Sequence, residues 1–201
     1  MEIMILSFIL TAIITALSIR NFDKSLAIYI HKFDTTSTWR EYTADIPDFL
    51  LIAVCIITVL AFIVYRTRRR RGIYNNETKF FYLIMYAVPA AYTVKSFLKY
   101  LFGRITTREW LIKPELDGFH WFQGGGGYAG FPSGHMVVFT TLTASLWRFY
   151  PRYRAVYVLF LLTLAVALVA TNYHFLSDVV AGAYLGVLIE VCTCRILKAD
   201  R

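Results

Sequence analysis

Six apolar runs, each long enough to cross a lipid bilayer, dominate this chain of 201 residues. A helix that spans the hydrocarbon core needs about 20 mostly apolar residues. The chain is 58% hydrophobic and only 17% charged, so a soluble protein of this composition would expose large hydrophobic patches. The runs predict one all-α domain over residues 1–201, a bundle of six transmembrane helices. The predicted spans are Ile3–Ile19, Pro47–Tyr65, Phe80–Phe102, Ser133–Tyr150, Ala155–Asn172 and Ser177–Leu197.

The connection after the first span, from Asn21 to Ile46, mixes apolar and charged residues. This mixture predicts an amphipathic segment that lies on the membrane surface. The first apolar run has neither a basic segment before it nor a small-residue cleavage site after it. We therefore expect a retained helix and not a cleaved signal peptide.

Basic residues determine the predicted orientation. Five of the six residues from Arg66 to Arg71 are arginines, and they directly follow the second span. Because Lys and Arg concentrate in cytoplasmic loops, both termini are predicted to be cytoplasmic and the third and fifth loops to face outward. The formal net charge of +8 then reflects topology, and no nucleic-acid partner is expected. These features are typical of a multi-pass protein of a bacterial inner membrane.

The three cysteines, Cys55, Cys192 and Cys194, all lie inside apolar runs. They have the pattern of small buried hydrophobic residues. No cysteine or histidine has metal-ligand spacing, so neither a disulfide framework nor a metal site is predicted.

The segment Pro132-Ser133-Gly134-His135 enters the fourth predicted span. Proline favours a helix start, and the free N–H groups at a helix N-terminus bind anions, phosphate above all. Ser133 adds a hydroxyl donor, and Gly134 lets a ligand approach the backbone closely. His135 can give or take a proton near neutral pH. An ordinary helix cap with an interfacial histidine is the alternative interpretation.

The segment His174-Phe175-Leu176-Ser177-Asp178 lies between the fifth and sixth spans. A histidine and an aspartate four residues apart share one face of a helix. A carboxylate bonded to one imidazole nitrogen fixes the tautomer and leaves the other nitrogen free to react, and histidine is a known covalent nucleophile. Alone, this pattern also fits a structural histidine beside a helix cap.

Cations close the third span. Lys99 and Arg104 follow Lys95, and Arg108 lies just beyond them. Charged residues near a helix end often only extend to the interface, but those that face the bundle are candidates for function. The cations, both histidines and Asp178 all fall at outward ends of predicted helices. Together with an anion-binding helix start, they predict a phosphate-transfer site.

These residues resemble the type 2 phosphatidic acid phosphatase superfamily. The family pattern is Lys-x6-Arg-Pro, then Pro-Ser-Gly-His, then Ser-Arg-x5-His-x3-Asp. The second motif is complete at residues 132–135, Lys99 matches the start of the first, and His174 and Asp178 match the end of the third. Thr106 and Leu168 stand where the family has arginine.

The resemblance implies a metal-independent and cofactor-independent phosphatase. His174 would attack phosphorus to form a phosphohistidine, Asp178 would orient it, and His135 would protonate the leaving group. The other implied residues bind phosphate: Lys99, Arg104, Ser133 and Gly134, with Arg108 or Lys95 replacing a missing arginine.

The expected substrate is a lipid phosphate or pyrophosphate at the outer membrane face. An isoprenoid pyrophosphate, phosphatidic acid, phosphatidylglycerol phosphate and a lipid A phosphate all fit. Two alternatives remain open from the sequence: a lipid phosphotransferase, and a non-catalytic member of the family that binds or moves phospholipids.

Overall fold

The computed structural model describes residues 2–33 and 46–199, and this part of the chain contains eight α-helices and no β-strand. The all-helical class predicted from the apolar runs is thus observed. The helices are α1 (Glu2–Asn21), α2 (Asp23–Phe33), α3 (Ile46–Arg70), α4 (Asn76–Phe102), α5 (Thr107–Ile112), α6 (Gly134–Phe149), α7 (Arg154–Ala170) and α8 (Leu176–Leu197).

Five segments are long and apolar enough to cross a membrane, and they overlap five of the six predicted spans. This number and their composition fit a multi-pass membrane protein. The prediction of a single domain over residues 1–201 stays a prediction. The five segments are Met4–Asn21, Phe49–Arg70, Asn76–Phe102, Pro151–Ala170 and Leu176–Leu197.

The fourth predicted span, Ser133–Tyr150, forms α6, whose 16 residues make it the shortest of the long helices. At 1.5 Å per residue α6 is about 24 Å long, less than the ~30 Å of a bilayer core. The helix is bracketed by Pro132 and Pro151. The count of six spanning helices is therefore not confirmed.

The predicted amphipathic segment is described only in its first part. Residues 23–33 form α2, in which Asp23 and Ala27 are buried while Tyr29 and Phe33 are exposed. Residues 34–45 lie outside the described residues. The helix contacts α1 and α5, and its placement on a membrane surface stays a prediction.

Helices α4, α6 and α8 form the centre of the bundle. Their contact is made by fully buried side chains, among them Leu83 and Val88 on α4 and Val137 on α6. Helix α1 packs on α8, α3 on α4, and α7 on α6. These outer helices expose many large apolar side chains, including Leu6 on α1 and Leu159 on α7, as expected for surfaces that face lipid.

Two glycines on α8 allow close contact with α6. A Cβ atom on Gly182 would lie 2.7 Å from the carbonyl oxygen of Ser133, and one on Gly186 would lie 2.6 Å from that of Val137. Small residues four apart let two membrane helices approach at the backbone. The contact brings the first turn of α8 against the first turn of α6.

The connection from α4 to α6 folds back onto the end of α4. Gly103 ends α4 with a positive φ of 52°, and its carbonyl accepts a hydrogen bond from the N–H of His120 at 3.0 Å. A Cβ atom on Gly103 would lie 1.8 Å from the His120 carbonyl oxygen, so glycine is required. Rings of Phe102, Phe119 and Phe131 pack together beneath this loop.

Candidate active site

His174 and Asp178 lie at the junction of α7 and α8. The His174 N–H donates a hydrogen bond to the Leu168 carbonyl at 3.1 Å, which fixes the backbone of the histidine. Its Nδ1 lies 3.6 Å from Oδ2 of Asp178, which also accepts a hydrogen bond from the Phe175 N–H at 3.0 Å. Both side chains are almost completely buried. The carboxylate thus faces one nitrogen of the ring, as expected for a residue that orients an imidazole.

The surroundings of His174 favour its neutral form. Burial lowers the pKa of His174 below its usual value of 6.5, and the nearby Lys99 ammonium lowers it further, while Asp178 opposes both effects. A neutral imidazole has a lone pair available at neutral pH. The histidine is therefore in the protonation state that a nucleophile or base requires.

The first turn of α6 carries Ser133, Gly134 and His135. The Ser133 N–H donates a hydrogen bond to the Asp178 carbonyl at 3.0 Å, so the two predicted motifs are in direct contact. Ser133 is fully buried, and its hydroxyl has no hydrogen-bond partner among the described residues. The Ser133 hydroxyl is a group that can donate a hydrogen bond to an anion.

Tyr173 lies between the two histidines. The centroid of its ring is 5.6 Å from that of His135 and 5.1 Å from that of His174, and both contacts are edge-to-face. The tyrosine ring thus links the N-terminus of α6 to the α7–α8 loop. The structure brings both predicted catalytic histidines to one site.

Lys95 and Lys99, one turn apart on α4, reach the same helix start. A Cβ atom on Gly134 would lie 3.1 Å from Cδ of Lys95 and 3.5 Å from Cε of Lys99. The Lys99 ammonium donates to the Ala129 carbonyl at 2.5 Å. Two cations therefore adjoin the N–H groups at the start of α6, an arrangement that attracts an anion.

Arg104 is placed differently from the expectation that it binds phosphate. Its guanidinium is buried and donates to Asp178 Oδ1 at 2.5 Å, to Ser177 Oγ at 2.6 Å and to Asp23 Oδ2 at 2.8 Å. Burial opposes its charge, but Asp178 and Asp23 more than offset this and raise the pKa of Arg104. The guanidinium stays charged and is occupied by two carboxylates, so a role as a phosphate ligand stays a prediction.

Arg108 lies beside the loop that carries His174. Its guanidinium is 4.9 Å from the Tyr173 ring centroid, and Nη2 donates to the Thr171 carbonyl at 3.3 Å. The Arg108 guanidinium therefore lies next to the loop that carries His174. Its role in phosphate binding stays a prediction.

The two positions that lack the family arginines have structural roles. Leu168 is buried in an apolar cluster with Met136 and Val179. Thr106 caps α5, and its hydroxyl accepts a hydrogen bond from the Glu109 N–H.

Asp23 and Ser177 were missed as site residues. Asp23 is 2% exposed, and Ser177 is fully buried beside it. The Ser177 N–H donates to Asp23 Oδ1 at 3.0 Å, and its hydroxyl donates to Oδ2. Asp23 lies in the segment that is predicted to be an amphipathic helix at the membrane surface. No local pattern distinguishes it from a solvent-exposed carboxylate in the first turn of such a helix.

Across residues 2–33 and 46–199 no group of three or more His, Cys, Asp or Glu side chains is arranged to hold a metal ion. The absence of a metal and of a cofactor from the reaction stays a prediction.

Comparison with known proteins identifies the family. The model of the PAP2 superfamily matches residues 78–201, which include α4 from its third residue, all of α6 and α8, and every predicted site residue. No curated protein and no solved structure matches the chain. The chain belongs to the PAP2 superfamily.

Proposed function

We propose that the protein is a membrane lipid phosphatase that works through a phosphohistidine on His174. Membership of the PAP2 superfamily indicates phosphatase activity on phosphate esters. The observation that carries the proposal is the buried His174–Asp178 pair, with its 3.6 Å separation, beside an anion-binding helix start and two lysines. A site that only bound phosphate would need no nucleophile facing a carboxylate.

The first step transfers the phosphoryl group to the enzyme. Asp178 faces Nδ1 of His174, so Nε2 attacks phosphorus, and a P–N bond forms as the P–O bond to the leaving group breaks. His135 gives its proton to the leaving oxygen. Lys95, Lys99 and the Ser133 hydroxyl stabilise the charge on the equatorial oxygens.

The second step returns the enzyme to its resting state. His135, now neutral, takes a proton from water as the water oxygen attacks phosphorus. The P–N bond breaks, its electrons return to Nε2 of His174, and inorganic phosphate leaves. The site thus needs one histidine that is neutral and one that carries a proton at the start of the cycle.

A lipid substrate is supported by the apolar surroundings of the site. A groove of about 390 Å³ between α1, α4 and α8 is lined almost entirely by apolar side chains. It reaches Phe131 and Pro132, which directly precede Ser133. A substrate tail in this groove would keep its phosphate at the start of α6.

For the cellular setting, we propose a bacterial inner membrane with both termini in the cytoplasm and the site on the outer side. The arginine block of residues 66–71 lies at the end of α3, opposite the site, and supports this orientation. A membrane-impermeant thiol reagent tests it on single-cysteine variants at exposed Ile112 and exposed Ile73 in a chain cleared of native cysteines. Labelling of position 112 but not 73 in intact cells is expected, and the reverse would overturn the orientation.

The function is tested by phosphate release from a panel of phosphorylated lipids with EDTA present. The panel contains phosphatidic acid, phosphatidylglycerol phosphate, an isoprenoid pyrophosphate and a lipid A phosphate. We compare the parent with His174→Ala and use His31→Ala, an exposed histidine on α2, as the matched control. Release by the parent and the control but not by His174→Ala is expected.

A trapped intermediate gives a second measurement. Rapid acid-free quenching with a ³²P-labelled substrate should leave label on the parent that is stable to base and lost in acid, as for a phosphoramidate. Label on His174→Ala, or release that EDTA abolishes, would contradict the mechanism. Transfer of label to an added lipid alcohol in place of water would indicate a phosphotransferase, and binding without turnover a non-catalytic member.

A further inference from the structure

Asp23 joins a buried charge network that ends at His174. One oxygen of the Asp23 carboxylate accepts a hydrogen bond from the Ser177 N–H at 3.0 Å. The other accepts from Ser177 Oγ and from Arg104 Nη2, the latter at 2.8 Å. Asp23 lies on α2, outside the residues that match the family model.

Arg104 connects the two carboxylates of this network. One of its terminal nitrogens contacts Asp178 Oδ1 and the other contacts Asp23 Oδ2. The guanidinium is also enclosed by aromatic rings, with the centroid of Phe175 at 4.6 Å and that of Phe119 at 5.4 Å. The hydrogen bonds and the two rings together fix the position of the guanidinium.

The charges in the network do not cancel. Two carboxylates share one guanidinium, so the buried set carries one net negative charge. If Asp23 were neutral, Arg104 would pair with Asp178 alone, and the carboxylate that faces His174 would be fully compensated. With Asp23 charged, a negative charge remains for the imidazolium-like ring that forms as His174 attacks phosphorus.

We infer that Asp23 is a positioning residue for the nucleophile, holding Arg104 and Ser177 so that Asp178 keeps its orientation and its negative charge toward His174. The inference rests on the proposed function for its effect on turnover. Its effect on the electrostatics of His174 is independent of any substrate.

Several charged or titratable groups surround His174, and each bears on its titration. Lys99 acts on it directly, as does Asp178. Asp23 acts through Arg104, and a change confined to Asp23 leaves the remaining groups in place. These groups are Lys95 and Lys99 on α4, Arg104 after it, Arg108 on α5, His135 on α6, Tyr173 in the same loop and Asp178 on α8.

The first test is NMR titration of His174 in detergent, with the resonance assigned by its loss in His174→Gln. Asp23→Asn keeps the shape of the side chain and removes its charge. We expect the pKa of His174 to fall by about one in this variant. The matched control is Asp117→Asn, which breaks the exposed ion pair between Asp117 and Lys24 and should leave the titration unchanged.

A double variant separates charge from structure. Asp23→Asn combined with Arg104→Gln restores one net negative charge, that of Asp178, so the pKa of His174 should return toward the parent value. If the role of Asp23 were merely structural, the pKa of His174 in the double variant would lie further from the parent value than in the single variant. If Asp23→Asn alone does not fold, Asp23→Ser, which removes the same charge, leaves Arg104 paired with Asp178 and leaves room for water, provides the test.

The second test is steady-state kinetics with a lipid phosphate. Asp23→Asn should lower kcat by about 10- to 100-fold and leave KM within about twofold, since Asp23 does not contact substrate. An unchanged pKa of His174 together with an unchanged kcat in folded Asp23→Asn overturns the inference. A parent without phosphatase activity refutes the proposed function instead, and the titration still decides the role of Asp23.

Discussion

The backbone N–H of Ser133 donates a hydrogen bond to the backbone carbonyl of Asp178 at 3.0 Å. This bond joins the first turns of α6 and α8, which are 45 residues apart along the chain. It places the start of α6, where we propose that phosphate binds, beside the carboxylate that faces His174. The geometry of the site therefore depends on how closely the two helices pack.

Gly182→Ala is expected to abolish most activity by separating these helices. The added Cβ would lie 2.7 Å from the Ser133 carbonyl oxygen and 3.0 Å from Cβ of Met136, so α6 must move. A displacement of about 1 Å at a catalytic centre costs on the order of 10²-fold in rate. Phosphate release and thermal unfolding in detergent measure the two effects. Activity at the parent level in this variant would show that the close approach is not needed.

Ser133→Ala should lower kcat with little loss of stability. The hydroxyl is buried but bonds to no described residue, so its removal leaves the folded protein nearly unchanged. Loss of one donor to the transition state costs about 10²-fold in kcat. Ser145→Ala is the matched control, because the Ser145 hydroxyl on the same helix is buried and donates to the Thr141 carbonyl at 2.9 Å. Equal kinetic effects of the two substitutions would contradict a role for Ser133 in binding phosphate.

Arg104→Ala should destabilise the protein strongly. It leaves Asp23 and Asp178 buried without their shared cation. Removing one partner of a buried ion pair costs about 3–5 kcal/mol. Lys24→Ala, which breaks the exposed pair with Asp117, should cost about 0–1 kcal/mol. Unfolding by heat or denaturant in detergent compares the two, and similar losses would show that the network contributes little.

The acid limb of kcat/KM should lie below pH 6.5. Burial lowers the pKa of His174 from 6.5, so the neutral nucleophile persists to a lower pH than in an unfolded chain. The unfolded state therefore binds more protons in the interval between the two pKa values, and this contribution to stability is lost as pH falls below 6.5. The rate profile, corrected for titration of the substrate phosphate, provides the measurement. An acid limb above pH 6.5 would contradict the neutral state of His174.

Local patterns were sufficient to predict some features and not others. The apolar runs predicted an all-α chain because span length is a property of consecutive residues. The motif residues His135, His174 and Ser133 could be selected because their chemistry is recognisable within a few positions. Their convergence on one site is now described, whereas their catalytic roles stay predictions.

The remaining features depend on contacts between distant segments. Asp23 meets Ser177 across 154 positions, and nothing near it in the sequence indicates a buried partner. The orientation of the Arg104 side chain is set by two carboxylates on different helices. The sequence distance between Arg104 and Lys99 could therefore not predict that orientation. The span at α6 was predicted from hydropathy, whereas its observed length follows from where the chain turns at Pro132 and Pro151.

The burial of Leu168 has a consequence for how this chain relates to its family. An arginine at that position would enter the apolar cluster with Met136 and Val179 and cost several kcal/mol unless paired. A single substitution of Leu168 by arginine is therefore expected to destabilise the protein unless neighbours on α6 and α8 change with it.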